Sequence, residues 1–171
     1  MPYAIVVMGV SGCGKSSVGN ALADRLGYDF VDADDLHPPE NVAKMRGGTP
    51  LTDEDRWPWL AAVEAAMRER LMRGAGIVVA CSALKRSYRD SLRSAGEAVR
   101  FVHLAGSQEL IGARVARRRS HFFDPKLLAS QFATLEAPDP ADETDVTVLD
   151  AGAPLDSVVA DAGALFTPPR Q

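Results

Sequence analysis

Residues 4–16 read Ala-Ile-Val-Val-Met-Gly-Val-Ser-Gly-Cys-Gly-Lys-Ser. The apolar run over residues 4–8 predicts a strand buried on both faces, and it ends in Gly9. Gly9, four residues, then Gly14, Lys15 and Ser16 fit the G-x-x-x-x-G-K-[ST] phosphate-binding pattern without a mismatch. The residue types follow from the chemistry. Gly9, Gly12 and Gly14 let successive backbone N–H groups turn toward one anion, where Cβ atoms would obstruct the approach. The loop leads into a helix N-terminus, whose unpaired N–H groups and dipole favour negative charge. Lys15 supplies a mobile charge for the β- and γ-phosphates, and the Ser16 hydroxyl suits Mg²⁺. The run Gly9, Ser11, Gly12, Cys13, Gly14, Lys15, Ser16 and Ser17 is therefore the candidate contact surface for ATP. The loop alone does not say where the phosphate goes.

The remaining composition narrows the class. A chain of 171 residues fits one domain with a full core. A hydrophobic fraction of 46% and a net charge of −4 describe an ordinary globular protein. That charge argues against a general nucleic-acid or anionic-membrane binder. No apolar run approaches the ~20 residues that span a bilayer, and the chain starts directly into its first strand. Two cysteines, Cys13 and Cys81, make no disulfide framework. A reducing cytoplasm fits this reading.

Farther along, Val18, Ala21, Leu22 and Leu26 repeat at helical spacing before Gly27. Residues 28–32 predict a second strand, ending in Asp32-Ala-Asp-Asp35. A short helix is expected from Pro39 to Arg46, since proline suits a first turn and Gly47 an end. A longer helix opens at Thr52. Residues 76–80, 99–105 and 146–150 predict three more strands, each separated by helical periodicity. Alternation of strand and helix predicts an α/β parallel sheet covered on both faces. Ligands of such sheets sit at the carboxyl ends of the strands, so the phosphate loop, Asp32, Asp34 and residues 81–85 should share one rim.

Three groups there could carry chemistry. Asp32 and Asp34, separated by one residue, can divide the work: one holds Mg²⁺ and the other accepts the acceptor hydroxyl's proton or hydrogen bond. A helix-capping role is the plainer reading of such aspartates. Arg114 and Arg118 lie four residues apart on one helix face, with Arg117 and Arg119 beside them. An arginine-rich lid over about residues 117–135 would neutralise charge on the transferring phosphoryl group; a solvated basic face is the alternative. Finally, residues 37–59 form a polar insert holding His37, Lys44, Arg46, Arg56, Trp57 and Trp59. Lys85, Arg86 and Arg89 follow the third strand, where cations suit a carboxylate-bearing acceptor. Helix capping for His37, packing for the tryptophans and solvation for Arg86 remain equally open.

Several runs carry a family resemblance. Met8-Gly-Val-Ser-Gly-Cys-Gly-Lys-Ser16, Asp32-Ala-Asp-Asp-Leu-His-Pro38, Lys44-Met45, Gly48-Thr-Pro-Leu51, Asp55-Arg56 and Pro58-Trp-Leu60 resemble the P-loop gluconokinases. So do Cys81-Ser-Ala-Leu-Lys-Arg86, His121-Phe-Phe123, Ser130-Gln-Phe132 and Leu135-Glu136. The resemblance spans nearly the whole chain, to about Asp150. It implies a P-loop, nucleoside-monophosphate-kinase-like fold with a five-stranded sheet in the order 2-3-1-4-5 and a helical lid. It implies ATP-dependent phosphorylation of D-gluconate at its C6 hydroxyl, with Mg²⁺, in a cytoplasmic homodimer. Carried onto matching positions, Lys15, Asp34 and Arg118 are the catalytic candidates. Arg114 and Arg118 join the phosphate loop in holding ATP, and Ser16 and Asp32 hold the metal. Asp34, His37, Lys44, Arg56, Lys85 and Arg89 are the gluconate candidates.

Three positions depart from the usual pattern. Cys13 replaces a common serine and would make the loop oxidation-sensitive. Ala33 replaces a glycine, which disfavours a left-handed backbone there, and Ser120 replaces a glycine before His121. The competing readings are another P-loop small-molecule kinase, of shikimate-kinase type, and a nucleotide-dependent switch. The insert argues against the first, and the lack of an Asn-Lys-x-Asp run argues against a guanine-nucleotide form of the second.

Overall fold

Five parallel strands form one sheet in the order β2-β3-β1-β4-β5 in a computed structural model that describes residues 1–117 and 125–168. The strands are β1 (Ala4–Met8), β2 (Asp29–Asp32), β3 (Ile77–Ala80), β4 (Val99–Ala105) and β5 (Val146–Asp150). Every residue of β1 and β3 is buried, as continuous apolar runs require when helices cover both faces. Register follows directly: Val7 lies opposite Ala80 on one side and Val102 on the other. The expected sheet order is the observed one.

The helices are α1 (Lys15–Leu26), α2 (Pro39–Arg46), α3 (Asp53–Met72), α4 (Arg86–Arg93), α5 (Gln108–Arg117), α6 (Pro125–Thr134) and α7 (Leu155–Phe166). Their ends obey local chemistry. Gly14 takes φ 101° as α1 begins, and Gly27 takes φ 68° as it ends, both left-handed conformations that favour glycine. Thr52 and Asp55 form a reciprocal capping box at the start of α3. Pro58 lies inside α3, in its second turn, where it has no N–H to give the carbonyl four residues back.

One element escaped the periodicity. Residues Ala33–Leu36 form a 3₁₀ turn directly after β2, capped by Asp32, whose Oδ1 accepts from the Asp34 N–H at 3.0 Å. Ala33 is fully buried in that turn and has no positive φ, so the left-handed backbone a glycine would permit is not needed. The position expected for Ser120 lies outside the described residues, as do Arg118, Arg119 and residues 121–124.

Candidate active site

The carboxyl ends of β1, β2 and β3 deliver three loops to one rim, and a cleft of about 250 Å³ opens between them. Ser11 and Lys15 line it from the phosphate loop, Asp34 and His37 from the segment after β2, and Arg56 and Trp59 from α3. A second cavity of about 190 Å³ lies beyond the loop, lined by Cys13, Gly14, Ser17, Arg114 and Leu155. The phosphate loop is thus a partition with a space on either side. A nucleotide laid across it would put base and ribose on the Arg114 side and its terminal phosphate toward Asp34.

The loop's geometry supports anion binding. A Cβ on Gly9 would lie 2.7 Å from Cys13 Sγ and 2.9 Å from the Leu104 carbonyl oxygen, and the left-handed φ of 143° adds strain for any other residue. Lys15 Nζ donates to the Val10 carbonyl at 3.0 Å, which folds the ammonium back over the loop. Ser16 Oγ donates to Asp32 Oδ2 at 2.7 Å. This hydroxyl–carboxylate pair is a suitable oxygen donor set for Mg²⁺, an ion that keeps water and phosphate oxygens in most of its positions. Among the described residues no cluster of three His, Cys, Asp or Glu side chains competes for that role. Cys13 is buried, which lowers its exposure to oxidants relative to the sequence expectation.

Asp34 projects into the open cleft. Partial removal of solvent by the cleft walls raises its pKa above the usual carboxylate value, Lys15 opposes that rise, and the neighbouring Asp32 and Asp35 charges add to it. His37 behaves differently. Its ring stacks on Trp59 with centroids 4.0 Å apart and an interplanar angle of 15°. Burial and the Arg56 charge push its pKa down to about 4, so the imidazole is neutral at pH 7. Asn41 Nδ2 donates to the Asp55 carbonyl at 2.9 Å and lies 3.2 Å from His37 Nδ1. The network therefore assigns the imidazole proton to Nε2, which sits 3.9 Å from Asp34 Oδ1, beyond hydrogen-bond reach. Trp59 Nε1 donates to the Ala33 carbonyl at 2.7 Å and pins α3 to the catalytic rim. Packing is thus the reading that fits Trp59, while Trp57 is partly exposed, edge-on to Tyr88.

The cations divide sharply. Arg56 Nη1 donates to the Leu51 carbonyl and the Tyr88 hydroxyl at 2.7 and 3.1 Å, leaving the rest of its guanidinium toward the cleft. Lys44 pairs with Asp55 at 2.8 Å, and Lys85 with Asp53 at 3.1 Å. Neither lines the cleft. Arg89 corrects the sequence expectation most clearly. It is 1% exposed, and its Nε and Nη2 each donate to Glu143 at 2.8 Å. Its remaining donors go to the Ala83, Leu84 and Glu136 carbonyls. Arg89 is an internal brace for the loop after β3, with no donor left for a substrate. That loop includes Ala83, which holds a left-handed φ of 46°.

Two residues on α6 that were not among the sequence candidates also reach the cleft. Gln131 Oε1 accepts from the Ser11 N–H at 2.7 Å, and its Nε2 donates to Ser11 Oγ at 2.9 Å. Ser130 lines the cleft beside it. The Ser-Gln-Phe run marked family membership, but nothing in its composition shows that a carboxamide reaches the phosphate loop 120 residues away. The model of the shikimate kinase family matches residues 11–138. A gluconokinase of Gluconobacter oxydans is 52% identical over 80% of this chain and 77% of its own. The thermoresistant gluconokinase of Escherichia coli is 45% identical over 92% and 90%.

The chain belongs to the gluconokinase family.

A crystal structure of a gluconokinase from Sinorhizobium meliloti superposes with a TM-score of 0.86 at 49% identity, covering 95% of this chain and 90% of that one. The shikimate-kinase model describes the wider group to which these gluconokinases are similar, and its match ends within the loop after α6.

Proposed function

We propose that this protein transfers the γ-phosphoryl group of ATP to the C6 hydroxyl of D-gluconate, giving 6-phospho-D-gluconate. The observation that carries the reading is the shared cleft: Ser11 and Lys15 of the donor loop line the same space as Asp34, His37 and Arg56. Phosphoryl transfer asks for positioning and charge stabilisation more than for covalent help. Lys15 and the N–H groups at the start of α1 hold the terminal phosphates. Ser16 and Asp32 hold Mg²⁺, which neutralises charge on those phosphates when bound. Asp34, which projects into the cleft, accepts the proton or hydrogen bond of the acceptor hydroxyl. His37, neutral and protonated on Nε2, donates to a neighbouring acceptor oxygen. Arg114 flanks the nucleotide.

Arg118 is proposed as a second cation at the transferred group, and residues 117–135 as a lid; Arg118 itself lies outside the described residues. A single kinase domain with an acceptor-binding insert over residues 37–59, acting as a cytoplasmic homodimer, completes the proposal. No described helix is long and apolar enough to cross a membrane.

The test is an ADP-release assay with D-gluconate, shikimate, AMP and no acceptor. Gluconate should stimulate ADP release well above the other three. ADP released equally with and without gluconate overturns the reading, and stimulation by shikimate alone moves the chain to the wider group.

A further inference from the structure

The acceptor cleft holds a cation whose role the matched runs leave unassigned. Arg46 sits in the last turn of α2 and lines the cleft with Met45 and with Val42, one turn back on the same helix. The other insert and loop cations are already neutralised: Lys44 by Asp55, Lys85 by Asp53 and Arg89 by Glu143. A carboxylate ligand would have to break those ion pairs to use them. Arg56 has one nitrogen committed to the Leu51 carbonyl and the Tyr88 hydroxyl, and its guanidinium lies 5.3 Å from the centre of the Tyr88 ring. The Arg46 side chain has no hydrogen bond or ion pair to any described residue. It is the cleft's one wholly uncommitted guanidinium among the described residues.

We infer that Arg46, assisted by the fixed Arg56, is the subsite that recognises the acceptor's carboxylate and selects a sugar acid over a neutral polyol. The inference rests on the cleft being the acceptor site, as proposed above, and deepens that reading. Three lines of physical chemistry support it. A guanidinium presents paired N–H donors that match the two oxygens of a carboxylate, a geometry no lysine reproduces. An arginine with no protein partner loses no ion pair when it takes a ligand. And the cleft's chemistry is polarised by element: Lys15 and Asp34 belong to the sheet rim, whereas Arg46 and Arg56 belong to the insert. An acceptor whose carboxylate is held by the insert directs its hydroxyl chain toward the rim. A terminal hydroxyl is then the group offered to Asp34. Arg56 acts as the rigid half of the clamp and Arg46 as the half that closes on the anion.

The experiment compares D-gluconate with D-gluconamide, which keeps the carbon chain and hydroxyls but carries no charge. Binding of each is measured by calorimetry, and turnover with saturating ATP, for the wild type, Arg46→Gln and Arg46→Lys. Wild type should prefer gluconate by at least ~10-fold, the scale of one charge-assisted bidentate contact. Arg46→Gln should lose most of that preference through a higher Kd and KM for gluconate, and Arg46→Lys should recover part of it. Arg46 is exposed and without a protein partner, so neither variant should lower the melting temperature. A wild-type preference retained in Arg46→Gln overturns the inference. So does an equal loss of affinity for gluconate and gluconamide, which marks a general packing effect. A wild type that binds gluconate in an Arg46-dependent way but transfers no phosphate to it overturns the proposed function and leaves the carboxylate subsite standing.

Discussion

Replacing Arg89 with alanine distinguishes a brace from a substrate contact. The guanidinium makes two hydrogen bonds to Glu143 at 2.8 Å and three to the carbonyls of Ala83, Leu84 and Glu136 at 2.9–3.2 Å. Breaking a buried ion pair by removing one partner costs about 3–5 kcal/mol, because the remaining charge is left uncompensated. Here the low end applies. Glu143 keeps Arg93, whose Nη2 donates to Glu143 Oε1 at 2.7 Å, so the carboxylate is not abandoned. A loss of about 3 kcal/mol, at ~2–4 °C per kcal/mol for a protein of this size, lowers the melting temperature by about 6–12 °C. Thermal unfolding followed by circular dichroism, without ligands, reads this directly. The loop that Arg89 holds includes Ser82 and Leu84, which line the cleft, so activity falls as well; the drop in melting temperature without substrate is what assigns the role. A drop of less than ~2 °C, together with a ~10-fold rise in KM for gluconate, would refute the reasoning and return Arg89 to the acceptor site.

Three further outcomes are expected. Asp34→Asn should reduce kcat by at least ~10²-fold with little change in KM for ATP, since the amide cannot take the hydroxyl proton; near-normal turnover removes Asp34 from the chemistry. Gln131→Leu deletes both contacts to Ser11, each worth about 1 kcal/mol, and should lower kcat/KM for ATP by ~10–30-fold; wild-type values would show that the contacts do not order the loop. Glu143 has its pKa lowered from 4.5 to about 2, first by hydrogen bonds from Arg89 and then, against the cost of burial, by those from Arg93. A depressed carboxylate contributes stability that is present above its unfolded pKa and is lost as pH falls through the folded one. Wild-type stability should therefore decline between about pH 4.5 and pH 2, and Glu143→Gln should flatten that decline in denaturant titrations. An equally steep decline in the variant would place the acid sensitivity elsewhere.

What could be read from the residues was local. The phosphate loop, the strand before it and the bounds of α2 from Pro39 to Arg46 emerge from glycine, proline and apolar spacing, because each is decided by contacts within a few residues. Asp32 and Asp34 were placed at the rim by topology, and Asp32 does meet Ser16 there. The cations were not legible in the same way. Lys44, Lys85 and Arg89 look alike as charges in a string, yet their partners lie 11, 32 and 54 residues away. Which charge is spent on a carboxylate and which is left for a ligand is a property of tertiary pairing. The same holds for Gln131, whose meaning depends on α6 folding back over the phosphate loop. The 3₁₀ turn at Ala33–Leu36 was missed because its single turn is too short to show a period.

The central claim is the transfer of a phosphoryl group to the acceptor's terminal hydroxyl. Its most direct test is the product itself: D-gluconate incubated with ATP, Mg²⁺ and the protein, with the new phosphoester located by ³¹P–¹H correlation. One phosphate should be coupled to the two C6 protons, appearing in step with ADP. A phosphate on another carbon, or ADP accumulating beside unmodified gluconate, would contradict it.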